Sequence, residues 1–170
     1  MRILLLGGTG LLGKELKKSL LPIGENFAPR RTDLDLTNAG SIRSYIKDNR
    51  PEVVVNAAAY TAVDEAEDEP DLASAINRLA PAVLAEETDR IGAALIHYST
   101  DYVFDGKKGE PYTESDQPNP LNVYGRTKLA GEEAIKASSS CYLIIRTSWL
   151  YSLNADCFVT RVLARARSRK

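Results

Sequence analysis

Arg2-Ile3-Leu4-Leu5-Leu6-Gly7-Gly8-Thr9-Gly10-Leu11-Leu12-Gly13 is the stretch on which the reading of this chain turns. The apolar run Arg2–Leu6 ends on Gly7-Gly8 and reads as a short buried strand. Leu12, Leu16 and Leu20 then recur at helical spacing, with Pro22 just beyond as a stop. Glycines between a strand and a helix permit a tight turn, let a pyrophosphate approach the backbone, and let the helix pack closely on the sheet. The helix N-terminus adds unpaired N–H groups and the positive end of its dipole. A plain strand–helix turn could also use glycines. The position of Gly7, Gly10 and Gly13 between a strand and a helix favours a nucleotide site.

The same alternation continues outward. A weak second strand falls near residues 26–28, and Thr37 can cap a helix carrying Ile42 and Ile46 that Pro51 closes. Val53-Val54-Val55 is a β-branched run suited to a strand buried on both faces. Leu72, Ile76, Leu79 and Val83 mark a longer helix, in which Pro81 predicts a kink or a break. Residues 94–98 and 142–145 read as the fourth and fifth strands, separated by a Pro/Gly/Asp-rich loop at 101–120 and a helix over about 121–136. Phe158, Val162 and Leu163 open a last helix with an arginine-crowded end. Strands alternating with helices predict a doubly wound α/β domain, a parallel sheet with helices on both faces and right-handed crossovers.

Composition narrows the partners. A chain of 170 residues suits one domain with a sizeable core. Its 44% hydrophobic and 26% charged residues, with net charge −1, give no electrostatic reason to expect nucleic acid or a membrane. Cys141 and Cys157 stand far apart in no metal or redox spacing, so reduced thiols and a cytoplasmic location are expected. The opening apolar run is too short for a secretion signal, and nothing approaches a membrane span. A homodimer stays open as a protein partner.

About 20 residues past the glycine turn, where an acid commonly meets a ribose 2′-hydroxyl, the chain reads Ala28-Pro29-Arg30-Arg31. Two guanidiniums suit a 2′-phosphate better, because each can fork onto its oxygens. Solvated surface arginines are the bland alternative. NADP(H) is therefore expected over NAD(H). Asp35 with Leu36 could flank the adenine.

Tyr124 and Lys128 lie four residues apart on one helical face. A cation beside a phenol favours the phenolate and lowers its pKa. Alone the spacing is common. Ser99 and Thr100, however, close the fourth strand at the edge where parallel α/β sheets bind ligands. A hydroxyl there can polarise a carbonyl while Tyr124 supplies a proton.

With these residues assembled, the chain resembles the extended short-chain dehydrogenase/reductases of Rossmann-like fold, and closely the dTDP-4-dehydrorhamnose reductase family. The likeness rests on the Gly-x-x-Gly-x-x-Gly turn of Gly7, Gly10 and Gly13 and on four further stretches. These are Asn56-Ala57-Ala58-Ala59-Tyr60-Thr61-Ala62-Val63-Asp64, His97-Tyr98-Ser99-Thr100-Asp101-Tyr102-Val103-Phe104, the run from Pro120 through Tyr124-Gly125-Arg126-Thr127-Lys128 to Glu132, and Arg146-Thr147-Ser148-Trp149. It implies NADPH- or NADH-dependent reduction of the C4 ketone of dTDP-4-dehydro-L-rhamnose to dTDP-L-rhamnose, for cell-surface polysaccharide. By the same resemblance Thr100 orients the ketone, Tyr124 donates the proton, and Lys128 lowers the Tyr124 pKa and binds ribose. Gly10, Leu11 and Leu12 would meet the pyrophosphate, and Asp35 and Leu36 the adenine end. The loop of Ala57, Ala58, Ala59, Tyr60 and Thr61 would border the nicotinamide side, with Ser99 on the cofactor and Asp101 and Trp149 touching the nucleotide-sugar.

Family members continue past the position matching Lys170, so residues 1–170 are expected to be the cofactor-binding part, poorly active alone, with the substrate-closing part elsewhere. Arg30 stands where many relatives carry an acid, which disfavours NADH. Two other functions compete: a hydride-recycling epimerase or dehydratase of the same superfamily, and a non-catalytic NADP-binding regulatory subunit. No metal site is expected, and the acidic run Asp64-Glu65-Ala66-Glu67-Asp68-Glu69 reads as a solvated helix start. His97, the one histidine, reads as a packed or hydrogen-bonded strand residue.

Overall fold

A computed structural model describes residues 1–152 and 157–168. Five strands, β1 (Arg2–Leu6), β2 (Glu25–Phe27), β3 (Val53–Asn56), β4 (Ala94–Thr100) and β5 (Tyr142–Thr147), form one parallel sheet in the order β2-β1-β3-β4-β5. Among the described residues the α-helices are α1 (Leu11–Leu20), α2 (Ala39–Asn49), α3 (Glu65–Asp68), α4 (Pro70–Ser74), α5 (Ala80–Ile91), α6 (Val123–Ser138) and α7 (Phe158–Ser168), of which α1, α2, α5 and α6 pack on the sheet. The expected doubly wound α/β architecture is present.

Strand side chains alternate between two cores. Leu4, Leu6, Val54 and Leu95 face Ile42 and Ile46 of α2, Leu84 of α5 and Ile135 of α6. Ile3, Leu5 and Val55 face the other way, toward Leu16 and Leu20 of α1. Each such side chain stabilises the fold by roughly 1.5–3 kcal/mol through burial. Continuous apolar strands follow, because both faces are covered.

Several boundaries differ from the sequence reading, each for a local reason. Asn38, not Thr37, caps α2: its side chain accepts from Ser41 N–H at 3.1 Å, while the Thr37 N–H and hydroxyl turn back to Asp35. β4 and β5 each run two residues past their apolar stretches, since pairing of Ser99 with Arg146 and Thr100 with Thr147 extends the ladder through polar residues.

The break expected at Pro81 takes the form of a wide π turn over Ala75–Leu79, joining α4 to α5. Pro81 has no N–H to give the Asn77 carbonyl, and the wider turn removes the need for that bond. The extra residue swings Leu79 out to solvent, at 54% exposure, so it does not share the buried face with Val83. Gly131 of α6 packs against the freed Asn77 carbonyl oxygen, with which any Cβ would collide.

The acidic run forms the short α3, and Glu67 accepts from the Val123 N–H at 2.7 Å, tying down the start of α6. Among the described residues no cluster of His, Cys, Asp or Glu is arranged to hold a metal, and no helix is long and apolar enough to cross a membrane.

Candidate functional site

The sheet order reverses direction between β1 and β3, and parallel α/β sheets open a crevice at the C-terminal ends of strands at such a switch point. Here the crevice is a cleft of about 470 Å³, within the usual size of small-molecule sites. Gly7 makes the turn out of β1 with φ +75°, and a Cβ there would lie 2.6 Å from Ala58 N. That close approach brings the two switch-point loops together. Gly10 N–H closes the turn on Gly7 O at 2.9 Å, and Gly10 caps α1. Gly13 is buried beneath, where a Cβ would strike the Gly7 carbonyl.

Gly7, Gly10, Leu11 and Leu12 line the cleft at the helix N-terminus. Arg30, Arg31, Asp35 and Leu36 line the end near β2, Ala57, Ala58, Ala59 and Thr61 the β3 side, and Ser99, Tyr124 and Lys128 the opposite end. Neither Arg30 nor Arg31 has a carboxylate within ion-pair distance among the described residues. Asp35 is occupied by Thr37, whose N–H and hydroxyl hold its pKa below the ordinary carboxylate value.

Other candidate residues stand off the cleft wall. The Tyr60 hydroxyl donates to Glu69 at 2.7 Å, which carries the ring away and pushes its pKa up to about 12. Ser99 borders the cleft, yet its hydroxyl turns inward to Glu132 at 2.5 Å. Thr100 is buried behind Tyr124, where its Oγ1 accepts from Tyr102 N–H at 3.2 Å. Asp101 accepts from the Ser148 hydroxyl at 2.7 Å beyond the strand ends. Trp149 is 76% exposed with φ +49°, its ring edge-on to Phe158. A left-handed non-glycine residue costs about 1 kcal/mol or more, and such strain collects where function requires it.

One electrostatic expectation is corrected. Lys128 does not lower the Tyr124 pKa. Burial raises it, a hydrogen bond with Thr100 works against that rise, and Asp101 and Tyr102 add to it. Lys128 Nζ is instead engaged by the Tyr98 carbonyl at 2.6 Å and His97 Nε2 at 3.2 Å. Tyr124 is therefore a protonated phenol at neutral pH, suited to giving a proton. Lys128 itself is 1% exposed, and burial pulls its pKa down to about 8 against the opposing pull of Glu132.

The sequence reading gave no role to four residues behind this end of the cleft. Glu132 is fully buried and accepts from Ser99 and twice from Arg146, at 3.0 and 2.6 Å, locking β4, β5 and α6 together. Their signal was available: Glu132 follows Lys128 by one helical turn, and Arg146 interrupts an apolar strand. Asn77 bonds both the Tyr60 N–H and carbonyl and Thr127, fixing the loop after β3 to α6. Its signal was Pro81 four residues on. Asn56 pairs with His97, which is packed and hydrogen-bonded within β4 as expected.

The model of the family described as RmlD substrate binding domain matches residues 1–170. A dTDP-4-dehydrorhamnose reductase of Escherichia coli K12 is 44% identical over 174 aligned positions, covering all of this chain and 58% of that protein. Among solved structures, a dTDP-4-dehydrorhamnose reductase of Clostridium acetobutylicum superposes with a TM-score of 0.94 at 41% identity, over 99% of this chain and 60% of that one. The dTDP-4-dehydrorhamnose reductase of Bacillus anthracis Ames, solved in complex with NADP, also superposes at 0.94, with 38% identity and the same coverage. The chain thus spans about 58–60% of the length of these relatives.

Proposed function

The chain belongs to the RmlD substrate binding domain family, and from that premise we propose that its cleft binds NADP(H) and serves reduction of dTDP-4-dehydro-L-rhamnose to dTDP-L-rhamnose, a cytoplasmic step toward polysaccharide. The observation that carries the reading is the meeting, in one cleft, of the glycine turn with Tyr124 and Lys128. The residues fit the cofactor. Gly10, Leu11 and Leu12 line the cleft at the α1 N-terminus, where a pyrophosphate would meet backbone N–H groups, and Arg30 and Arg31 bring positive charge to the β2 end.

When bound, NADPH supplies the hydride that reduces the C4 ketone. Tyr124, held protonated by burial, gives its proton to the ketone oxygen, and Thr100 hydrogen-bonds the phenol and keeps it in place. Lys128 holds ribose hydroxyls from the rear wall. Asp101 and Trp149, beyond the ends of β4 and β5, would meet the nucleotide-sugar. We assign cofactor binding to residues 1–170 and closure over the sugar to the part of the relatives' length that this chain does not span. Residues 1–170 alone should then bind NADPH but turn over poorly, because positioning supplies roughly 7–11 kcal/mol of barrier lowering.

The test incubates a protein of the relatives' full length with NADPH and dTDP-4-dehydro-L-rhamnose, following the absorbance of the reduced cofactor. Net NADPH consumption matched by dTDP-L-rhamnose is expected. An epimerase or dehydratase would recycle its hydride and leave added NADPH unchanged, and a regulatory subunit would bind NADPH without turnover. Either result overturns the reductase reading.

A further inference from the structure

Behind Lys128 runs a chain of polar groups whose donors and acceptors can be assigned from one end. The Ala58 backbone N–H can only donate, and it meets Asn56 Oδ1 at 3.2 Å. That contact fixes the Asn56 amide, so Nδ2, also only a donor, faces His97 Nδ1 at 3.0 Å. Nδ1 must therefore present a lone pair. His97 is fully buried, and burial, the larger cause, keeps its pKa well below 6.5, so the ring is neutral and its proton sits on Nε2. Nε2 lies 3.2 Å from Lys128 Nζ. An N–H needs an acceptor there. An ammonium has none, and a neutral amine has one lone pair, while Nζ still donates to the Tyr98 carbonyl at 2.6 Å.

We propose that Asn56 and His97 are positioning residues that couple the charge of Lys128 to the loop after β3: Lys128 is a neutral amine while Asn56 holds the Ala58 N–H, and becomes an ammonium only as the Asn56 amide turns over and releases it. The inference rests on the assignment of Lys128 to the cofactor cleft made above. One proton enters at Nζ. The His97 proton leaves Nε2 for Nδ1 by exchange with solvent, so the ring charge is unchanged. Asn56 Oδ1 then accepts from Nδ1, and Nδ2 swings toward the Ala58 N–H, donor against donor. Ala57, Ala58 and Ala59 line the cleft, so a ligand that favours one charge of Lys128 also favours one position of that loop.

The groups around Lys128 are His97 and Tyr98 from β4, and Tyr124 and Glu132 from α6, with Arg146 of β5 neutralising Glu132. Burial leaves the lysine titrating near 8, so both states are populated at ordinary pH.

His97 is the only histidine in the chain, so nitrogen-15 histidine labelling reports one ring. The Nε2–H tautomer is expected at high pH. It should give way to Nδ1–H as pH falls through about 8, without imidazolium, and the Ala58 amide signal should move with the same midpoint. In Lys128→Met the ring should stay Nε2–H throughout. A wild-type ring that keeps one tautomer across that range overturns the coupling, as does a switch that survives Lys128→Met. If that variant does not fold, the wild-type comparison of ring and Ala58 midpoints decides alone, and unequal midpoints overturn it. NADPH titrated into the same sample separates the two readings: binding with a fixed tautomer sinks only the coupling, and a tautomer switch without NADPH binding sinks only the assigned function.

Discussion

Replacing Glu132 by Gln keeps the volume of a fully buried side chain and removes only its charge. Oε1 accepts from Ser99 Oγ and Arg146 Nε, and Oε2 from Arg146 Nη2. Whichever way the glutamine amide is turned, its NH₂ meets one Arg146 N–H, donor against donor. The serine hydroxyl can rotate to accept, but the guanidinium cannot. At least one charge-assisted bond is lost, worth about 1.5–3 kcal/mol, and the buried ion pair is broken, which costs about 3–5 kcal/mol where both partners are sealed. The Arg146 side chain retains 20% exposure, so water recovers part of that loss. The expected cost is about 2–4 kcal/mol, a large share of the roughly 5–15 kcal/mol that holds a domain folded. In urea unfolding followed by far-ultraviolet circular dichroism, the midpoint should fall by about 1 M or more. Glu86→Gln is the control: its pair with Arg43 is half exposed on both sides, and the change should cost less than about 0.5 kcal/mol. If Glu132→Gln cost no more than Glu86→Gln, the Ser99–Glu132–Arg146 cluster would not be what locks β4, β5 and α6 together.

Lys128 has its folded pKa at about 8, below its ordinary 10.5, so between those values the unfolded chain binds more protons and stability rises with pH. The rise, roughly 3 kcal/mol if completed, should be read by urea titration below about pH 10. Past that point the burial-raised tyrosines Tyr45, Tyr98 and Tyr124 reverse the trend, and Lys128→Met should flatten the rise. Gly131→Ala drives a Cβ into the Asn77 carbonyl and should cost about 1–3 kcal/mol, seen as a lower melting temperature; an unchanged one would mean that α6 does not rest on the π turn. Tyr124→Phe, in a protein of the relatives' full length, should cut turnover about 10²-fold while NADPH affinity holds, and near-normal turnover would remove the phenol from the mechanism.

Much of this was legible because each signal is local. The Arg2–Leu6 run with its glycine turn, the Val53-Val54-Val55 strand and the Tyr124/Lys128 helix each declare themselves within one element, and the structure has them there. Boundaries failed where a side chain chose among near-equal options, as when Asn38 rather than Thr37 capped α2. The charge logic of the site failed for a different reason. Helical spacing places Lys128 beside Tyr124, but the lysine spends its reach on Tyr98 and His97, contacts 30 and 31 residues distant that only the folded sheet creates. Asn77 and Glu132 each carry a local signal, but which residues they hold is not legible in it, since Tyr60, Ser99 and Arg146 come to them from other elements.

The central claim is that this cleft is built for a dinucleotide carrying a 2′-phosphate. Calorimetric titration of NADPH and NADH into the protein, at matched salt, tests it most directly. The account predicts saturable binding of both with NADPH the tighter, and loss of roughly 1.5–3 kcal/mol of NADPH binding on Arg30→Asp. Equal affinities before and after that substitution would contradict the 2′-phosphate assignment, and absence of NADPH binding would contradict the cofactor cleft itself.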